Sequence, residues 1–436
     1  MASSLARNYV RKYMEAGGHE MNMAEQKRLE IGCSDVKSTT GQHPGGLIVL
    51  PEGMEIYQFT PVQHPANDAA KGVITTSFDY DALKGRLLKL DLLGHDDPTM
   101  INALQNLTGF EAKNIKLDDE KVMSLFTSID ALQLKDKNIL TDVGTYGVPE
   151  FGTKFVREML RQAEPKCFDD LIRISGLSHG RDVWTNNAVE YIKNKTATIK
   201  NVISTRDSIM VYLMQMNMDA KSSFDIMERV RKGKGLTESD TKKMKALNIE
   251  DWYIDSCNKI KYMFPKAHAA AYVMMGFRVA YYKVYYPLEY YCAYFSIRSK
   301  DFDTKTILKG ATSIRKEIGK YYSMKNLTPT QKDTLTSLEL ALEMLCRGYS
   351  FETITIGKSH YNNFIIEGDK LILPYKVIEG AGEKVTKKIY EQSLLEPFSS
   401  IEDLKKRTSA SAAVIEELEI MGALEGIQKT DQFSFF

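Results

Sequence analysis

The chain has 436 residues, long enough for two to four domains of roughly 100–200 residues, and its 43% hydrophobic and 26% charged residues are those of an ordinary packed protein. A net charge of +1 neither demands nor forbids a polyanionic partner, because a basic face can be balanced by acidic residues elsewhere. Five cysteines, none within four residues of another, exclude a zinc knuckle or CxxC redox motif, and no apolar run is long enough to be a signal peptide or span a membrane.

Scattered unpaired cysteines suit reduced thiols, so the expected location is the cytoplasm, with no membrane partner. Ala6–Ala16 reads as a helix already in mid-domain, with Tyr9, Val10 and Tyr13 on one face, behind a short leader resembling a cloning scar. A truncated start is therefore expected. From Thr39 to Leu93 the pattern is strand-like: Gly46–Val49, Gly72–Thr76 and Arg86–Leu93 are short apolar runs punctuated by Gly, Pro and Asp. Asp91 lies inside the last of these. It reads either as a magnesium ligand on a sheet or as a carboxylate turned to solvent, and alternation favours the second because Lys89 and Leu93 share its parity. Asp96 and Asp97 read as a turn and helix start. The D-x-D pairs Asp79–Asp81 and Asp301–Asp303 have the spacing of a two-metal site but the setting of surface turns.

Pro98 ends the extended run, and Thr99 caps a helix to Leu107. Helical spacing then predominates through Phe155–Gln162, Phe168–Ile174, Thr185–Lys193, Asp207–Met216 and Ser222–Arg231, separated by the glycine loops Val143–Thr153, Ile174–Gly180 and Arg231–Gly235. Ser175, Ser178, His179 and Arg181 in the second loop offer small donors and a cation for phosphate, although a plain loop fits as well. Arg231, Lys232 and Lys234 around Gly233 and Gly235 read equally as a solvated basic cap or a phosphate site. Lys266–Tyr286 is a helix that Pro265 opens and Pro287 ends. Lys266, Arg278 and Lys283 give it charge, and His268, Tyr272, Tyr282 and Tyr285 give it aromatic surface. That suits a triphosphate and a base, or a buried structural helix.

After Arg298 come a long helix, Thr334–Arg347, a hairpin across Phe364–Leu373, and Val377–Ile389, where the h-x-G-x-G pattern is that of a helix–hairpin–helix. Gly380 and Gly382 there offer amides to one DNA phosphate beside Lys384, Lys387 and Lys388. A degenerate second copy spans Ser409–Leu424. The tail Gln432-Phe433-Ser434-Phe435-Phe436 reads as a peptide that docks in a groove, either a partner's or its own domain's.

In this order TTGQHPGG, KLDLLGHDDPT, VPEFGT, ISGLSH, VRKGKGL, DWYIDSC and KIKYMFPKAHAAAY resemble the C-terminal third of bacterial DNA polymerase III of the PolC type, from about Gly32 to the last residue. The resemblance implies an α+β chain: the C-terminal part of a palm over residues 1–98, mainly helical fingers over 99–298, a duplex-binding domain with the helix–hairpin–helix over 299–427, and a sliding-clamp tail over 428–436. It implies DNA-directed nucleotidyl transfer with two Mg2+ ions, acting on primer-template DNA and deoxynucleoside triphosphates. Asp91 matches the third palm aspartate. The other two belong to a pair that the family places earlier than these residues, so the chain alone is expected to be inactive. Arg231, Lys232, Lys234, Lys266, His268 and Arg278 fall in the nucleotide-receiving fingers, with Ser178 and His179 beside them. In the tail Phe433 and Phe435 replace the family's leucines, and overfilling a pocket costs roughly 1–3 kcal/mol. The alternative is a non-catalytic nucleic-acid-binding module.

Overall fold

The computed structural model describes residues 2–32, 40–299 and 301–430, which divide into two compact units, Met1–Gly94 and His95–Phe436. The chain is an α+β protein in which helices outweigh three small sheets.

The first unit opens with the helices Ala2–Glu15 and Met23–Gly32. Gly46–Val49 then pairs antiparallel with Leu88–Asp91, with Leu47 opposite Leu90 and Val49 opposite Leu88. Strand alternation puts these four apolar side chains on one face, and all four are exposed. The expected strands shrink. Of Gly72–Thr76 only Thr75–Thr76 pairs, with Val62–Gln63, because Gly72 caps a 3-10 turn at φ +64. Of Arg86–Leu93 only Leu88–Asp91 pairs.

The second unit holds the continuous core, which among the described residues runs from Met100 to Leu424. Its first helix is Asp96–Thr108, so Thr99 is not the cap: Pro98 sits within the first turn, where no intrahelical donor is lost, and His95 precedes the helix. Around the 20-residue central helix Lys266–Tyr285 pack Asp96–Thr108, Phe168–His179 and Pro287–Ile297, burying Val273, Phe277 and Ala280. Pro265 immediately precedes the central helix, and Pro287 opens the next one.

The Ile174–Gly180 segment is not a glycine loop. Its residues to His179 continue the Phe168 helix, with Ser175, Gly176 and Leu177 buried. A Cβ at Gly176 would lie 2.6 Å from the Ser204 carbonyl, so this glycine serves the close approach of two chain segments. Thr185–Lys193 is not one helix either: Thr185, Asn186 and Asn187 leave helical angles, and only Val189–Lys193 is regular. The long helix is Pro329–Cys346, opened five residues early by a Thr328–Gln331 capping box with proline in the first turn. The expected hairpin is Ile365–Glu367 with Lys370–Ile372, and Ser350–Glu352 adds an unforeseen parallel strand. Glu383–Leu395, Ile401–Thr408 and Ala412–Ile420 complete the unit. No helix of the described residues is long and apolar enough to cross a membrane.

Candidate functional site

In the first unit, Asp91 ends its strand opposite Gly46. Its side chain is 53% exposed, with Lys89 Nζ at 2.8 Å and His43 Nε2 at 3.9 Å. The Lys89 hydrogen bond holds the carboxyl below the usual aspartate range. A Cβ at Gly46 would meet His43 Nδ1 and Lys89 Cε at 2.8 Å each, so a side chain there would displace the two groups that flank Asp91. Asp91 thus fits as one hard-oxygen donor, and among the described residues no group of three or more His, Cys, Asp or Glu residues is placed to hold a metal. The D-x-D pairs sit where turns were expected. Asp79 precedes the short helix Tyr80–Leu83, and Asp303 caps Thr304–Ile307 through the Thr306 amide.

In the second unit, three segments meet by backbone hydrogen bonds. Arg181 N donates to Tyr262 O at 2.9 Å, Lys261 N to Arg181 O at 3.0 Å, and Met263 N to Arg231 O at 3.3 Å. Gly233 turns at φ +71 with its Cα hard against Lys261, where a Cβ would come within 2.4 Å of the Lys261 carbonyl. Arg181, Lys232, Lys234 and Lys261 are thereby gathered as exposed cations. Arg231 and Lys232 share Glu228, whose carboxyl is pulled down to about 2, chiefly by the Arg231 hydrogen bond. Lys261 was not anticipated, because its recruitment depends on the Arg181 bridge.

Beside this basic edge runs a strip of rings. Phe264 and His268 have centroids 5.0 Å apart, His268 and Tyr272 4.4 Å, and His268 and His179 6.0 Å, while the Tyr272 hydroxyl meets His95 Nε2 at 2.7 Å. Burial first, then His179, pushes His268 below the ordinary histidine value, so its ring stays neutral at pH 7. His179 lies 3.3 Å from Glu150, and Ser178 donates to Ser175 O within its own helix at 2.9 Å. Glu150 was not singled out in the sequence; its only signal is a carboxylate between the glycines of VPEFGT.

The helix separates the other expected residues. Lys266 is drawn to acids, Nζ reaching Asp169 at 3.2 Å and its amide reaching Asp207 at 2.6 Å. Arg278 is one turn from Tyr282 as expected, but ten residues place it about 15 Å along the axis from His268, and its buried Nε has no partner. Tyr282 is core, donating to Phe110 O at 2.6 Å. Lys283 is not surface charge. It is fully buried, donating to the carbonyls of Gly144 and Tyr146 and to Glu343.

At the hairpin, Gly380 turns at φ +77 and Gly382 precedes Glu383–Leu395, and a Cβ at either would meet nothing within 4 Å. Both glycines are exposed beside the exposed Lys384, Lys387 and Lys388, while the Val385 and Thr386 amides are held by Gly382 O. The expected second copy at Ser409–Leu424 is not a hairpin between two helices, because it holds the single helix Ala412–Ile420 followed by turns. A helical hairpin lies instead between Ile401–Thr408 and Ala412–Ile420, with Ser409 at φ +61 where a glycine is usual. Lys305 bridges the two, 3.1 Å from Glu379 and 3.0 Å from Glu417. The tail Gln432, Phe433, Ser434, Phe435 and Phe436 lies outside the described residues.

Comparison with known proteins agrees with this layout. Residues 4–94 match the bacterial DNA polymerase III alpha NTPase domain, residues 97–250 the bacterial DNA polymerase III alpha subunit finger domain, and residues 348–432 a helix-hairpin-helix motif. Over the whole chain it is 50% identical to the PolC-type DNA polymerase III of Clostridium perfringens and to that of Caldanaerobacter subterraneus, and 49% to that of Staphylococcus aureus strain MW2. It spans 30%, 31% and 30% of those relatives' lengths respectively. The chain belongs to the PolC-type DNA polymerase III family, as a segment carrying its finger domain and a helix-hairpin-helix.

Proposed function

We propose that the chain is the nucleotide- and duplex-binding part of a replicative DNA-directed DNA polymerase in the cytoplasm. The observation that carries this is the exposed basic edge of Arg181, Lys232, Lys234 and Lys261 beside the ring strip of Phe264, His268 and Tyr272, within the matched finger domain and just beyond it. The cations neutralise an incoming deoxynucleoside triphosphate, and the rings offer a face to its base. Ser178, His179, Lys266 and Arg231 lie in the same region, though Lys266 and Arg231 must exchange Asp169 and Glu228 for phosphate. Arg278 is assigned a supporting place farther along the helix. Gly380 and Gly382 give amides to a phosphate of the duplex, and Lys384, Lys387 and Lys388 add charge without reading sequence.

Magnesium, when bound, supplies the Lewis acidity of nucleotidyl transfer. Asp91 would be one oxygen ligand, with the remaining carboxylates coming from outside these residues. The 436-residue polypeptide should then bind primed DNA yet extend no primer. Robust synthesis by it would overturn the shared-site reading. Exchanging Lys384 and Lys388 for glutamate should weaken duplex binding and reduce the slope of log affinity against log salt by about 2, at roughly 0.9 for each phosphate no longer neutralised. An unchanged slope excludes the hairpin. Removing Gln432–Phe436 should abolish binding to the sliding clamp and leave DNA affinity intact. A non-catalytic nucleic-acid-binding module is the second reading, favoured by Asp91 being a lone carboxylate already partnered by Lys89. Activity restored by a longer polypeptide with the aspartate pair separates the two.

A further inference from the structure

The central helix ends against a second basic site, away from the ring strip. Lys283 follows His268 by fifteen residues, which puts it about 22 Å farther along the axis. At that end Lys121, Gln133, Lys135, Tyr285, Arg347 and Tyr349 line a cavity of about 440 Å³. Small-molecule pockets run to roughly 300–1,000 Å³. None of these residues belongs to the basic edge or the ring strip.

The charge around this cavity does not balance. Arg347 is 6% exposed; its Nη1 donates to Lys283 O at 2.9 Å, and its guanidinium lies 5.8 Å from the Tyr291 ring centroid. It is the third buried cation of a network whose two carboxylates, Glu343 and Glu339, already pair with Lys283 and Arg157. Among the described residues, no carboxylate forms an ion pair with Arg347, Lys121 or Lys135. The lining holds one carboxylate, the exposed Asp369, against these three cations. A buried charge without a counter-ion is costly, and an anion in the cavity would supply one.

The cations are also held in place. Lys135 and Asp136 both donate their amides to Cys346 O, at 2.8 and 3.0 Å, tying their segment to the end of Pro329–Cys346. Gly348 turns at φ +91, and a Cβ there would come within 2.5 Å of Lys135 Nζ, so glycine leaves the room that the amine occupies. Lys121 Nζ lies 5.1 Å from the Tyr285 ring centroid, and the Tyr285 hydroxyl donates to Asp119 at 3.0 Å. We propose that this cavity binds a small phosphorylated molecule, whose phosphate oxygens meet Arg347, Lys121 and Lys135. A guanidinium fork suits two phosphate oxygens, and the lysines act as point charges. Three cations against one carboxylate favour a phosphate dianion over a singly charged carboxylate. The assignment does not depend on the nucleotide site proposed above.

Inorganic pyrophosphate is the probe, titrated at fixed ionic strength without divalent metal into the whole chain labelled with 3-fluorotyrosine. The Tyr349 fluorine resonance, assigned by its loss in Tyr349→Phe, should move and saturate. Lys135 is exposed, so Lys135→Gln should fold, and it should weaken the titration on the order of tenfold, the scale of one charge-assisted hydrogen bond. Lys137→Gln removes the same charge outside the cavity and should leave the titration unchanged. A resonance that never saturates would overturn the proposal. Equal weakening by the two variants would do so as well, because diffuse charge would then explain the binding. A single-stranded oligonucleotide that moves the resonance where pyrophosphate does not would overturn the small-molecule assignment.

Discussion

The two units handle polarity in opposite ways. In Met1–Gly94 the paired strands present Leu47, Val49, Leu88 and Leu90 to solvent, and the buried hydrophobic side chains among the described residues are Val10, Leu83 and Leu87. In His95–Phe436 the core is so extensive that it encloses charge: Lys283 with Glu343, and Arg157 with Glu339. Burying an ion pair stabilises only when geometry and further hydrogen bonds offset desolvation. Here Tyr291 and Tyr322 add bonds to the two glutamates. The lesson is that the second unit uses hydrophobic stability to hold a loop in one shape, while the first keeps apolar surface outside its own core.

The largest expected effect tests the enclosed charge. Lys283→Met fits the space but leaves Glu343 and two carbonyls without their donor, and breaking such a pair costs about 3–5 kcal/mol. Both tryptophans, Trp184 and Trp252, lie in the second unit, so their fluorescence during urea unfolding reports on it alone. A loss under about 1 kcal/mol, the scale of one ordinary hydrogen bond, would mean that water replaces the amine and that the network is not structural. Next comes Gly276→Ala. Alanine suits a helix interior better than glycine by roughly 0.5–1 kcal/mol, but a Cβ at Gly276 would meet the Pro149 carbonyl at 2.7 Å. Overpacking should win by about 1–3 kcal/mol and displace the loop carrying Glu150. A stabilised variant would show that the loop yields freely.

How much of this was legible follows from where each signal resides. The α+β class, the hairpin of Gly380 and the paired strand Gly46–Val49 rest on local turn chemistry and alternation, and they were readable. ISGLSHG was not, because the reason for Gly176 is the Ser204 backbone, a neighbour 28 residues away in the chain. Lys283 misled for the same cause: a lysine among tyrosines has the composition of a ligand surface, and only the carbonyls of Gly144 and Tyr146 show it to be a core donor. Of the candidate site, His179, His268 and Tyr272 do converge. Glu150 stayed hidden because its contacts with His179 and Ser175 depend on a backbone angle.

A smaller effect concerns a second buried amine. Lys376 donates to Ser296 O at 2.6 Å, and burial lowers it to about 8. Its folded value therefore lies below the ordinary lysine value of about 10.4. Below about pH 8 both states hold the proton and the cost of burying the charge is constant. Between about 8 and 10 the unfolded chain holds more protons, so stability should rise with pH. Above about 10 the unfolded chain's phenols ionise first, because Tyr282 is raised to about 12 by burial, and the trend reverses. Lys376→Met should reduce the rise between about pH 8 and 10 relative to the wild type, leaving the part contributed by Lys283, which burial also lowers to about 8. An identical rise in both proteins would assign it to other groups.

The smallest expected effect is the sharpest test of the contrast between the units. Leu47 and Leu90 face each other across the ladder, 54% and 40% exposed. Replacing both with threonine supplies β-branching that suits the strands while removing apolar surface from the open face. If these leucines are not part of the unit's core, stability should change by no more than about 0.5 kcal/mol. Binding of an apolar dye and self-association at high concentration should both fall. Limited proteolysis is the discriminating measurement, because cleavage within residues 40–94 requires the ladder to open. An unchanged cleavage rate with less dye bound means the face serves something other than the unit's own folding. Faster cleavage would mean that these leucines, half in water, still hold the strands together through their cross-strand packing, and the difference between the two units would then be one of degree.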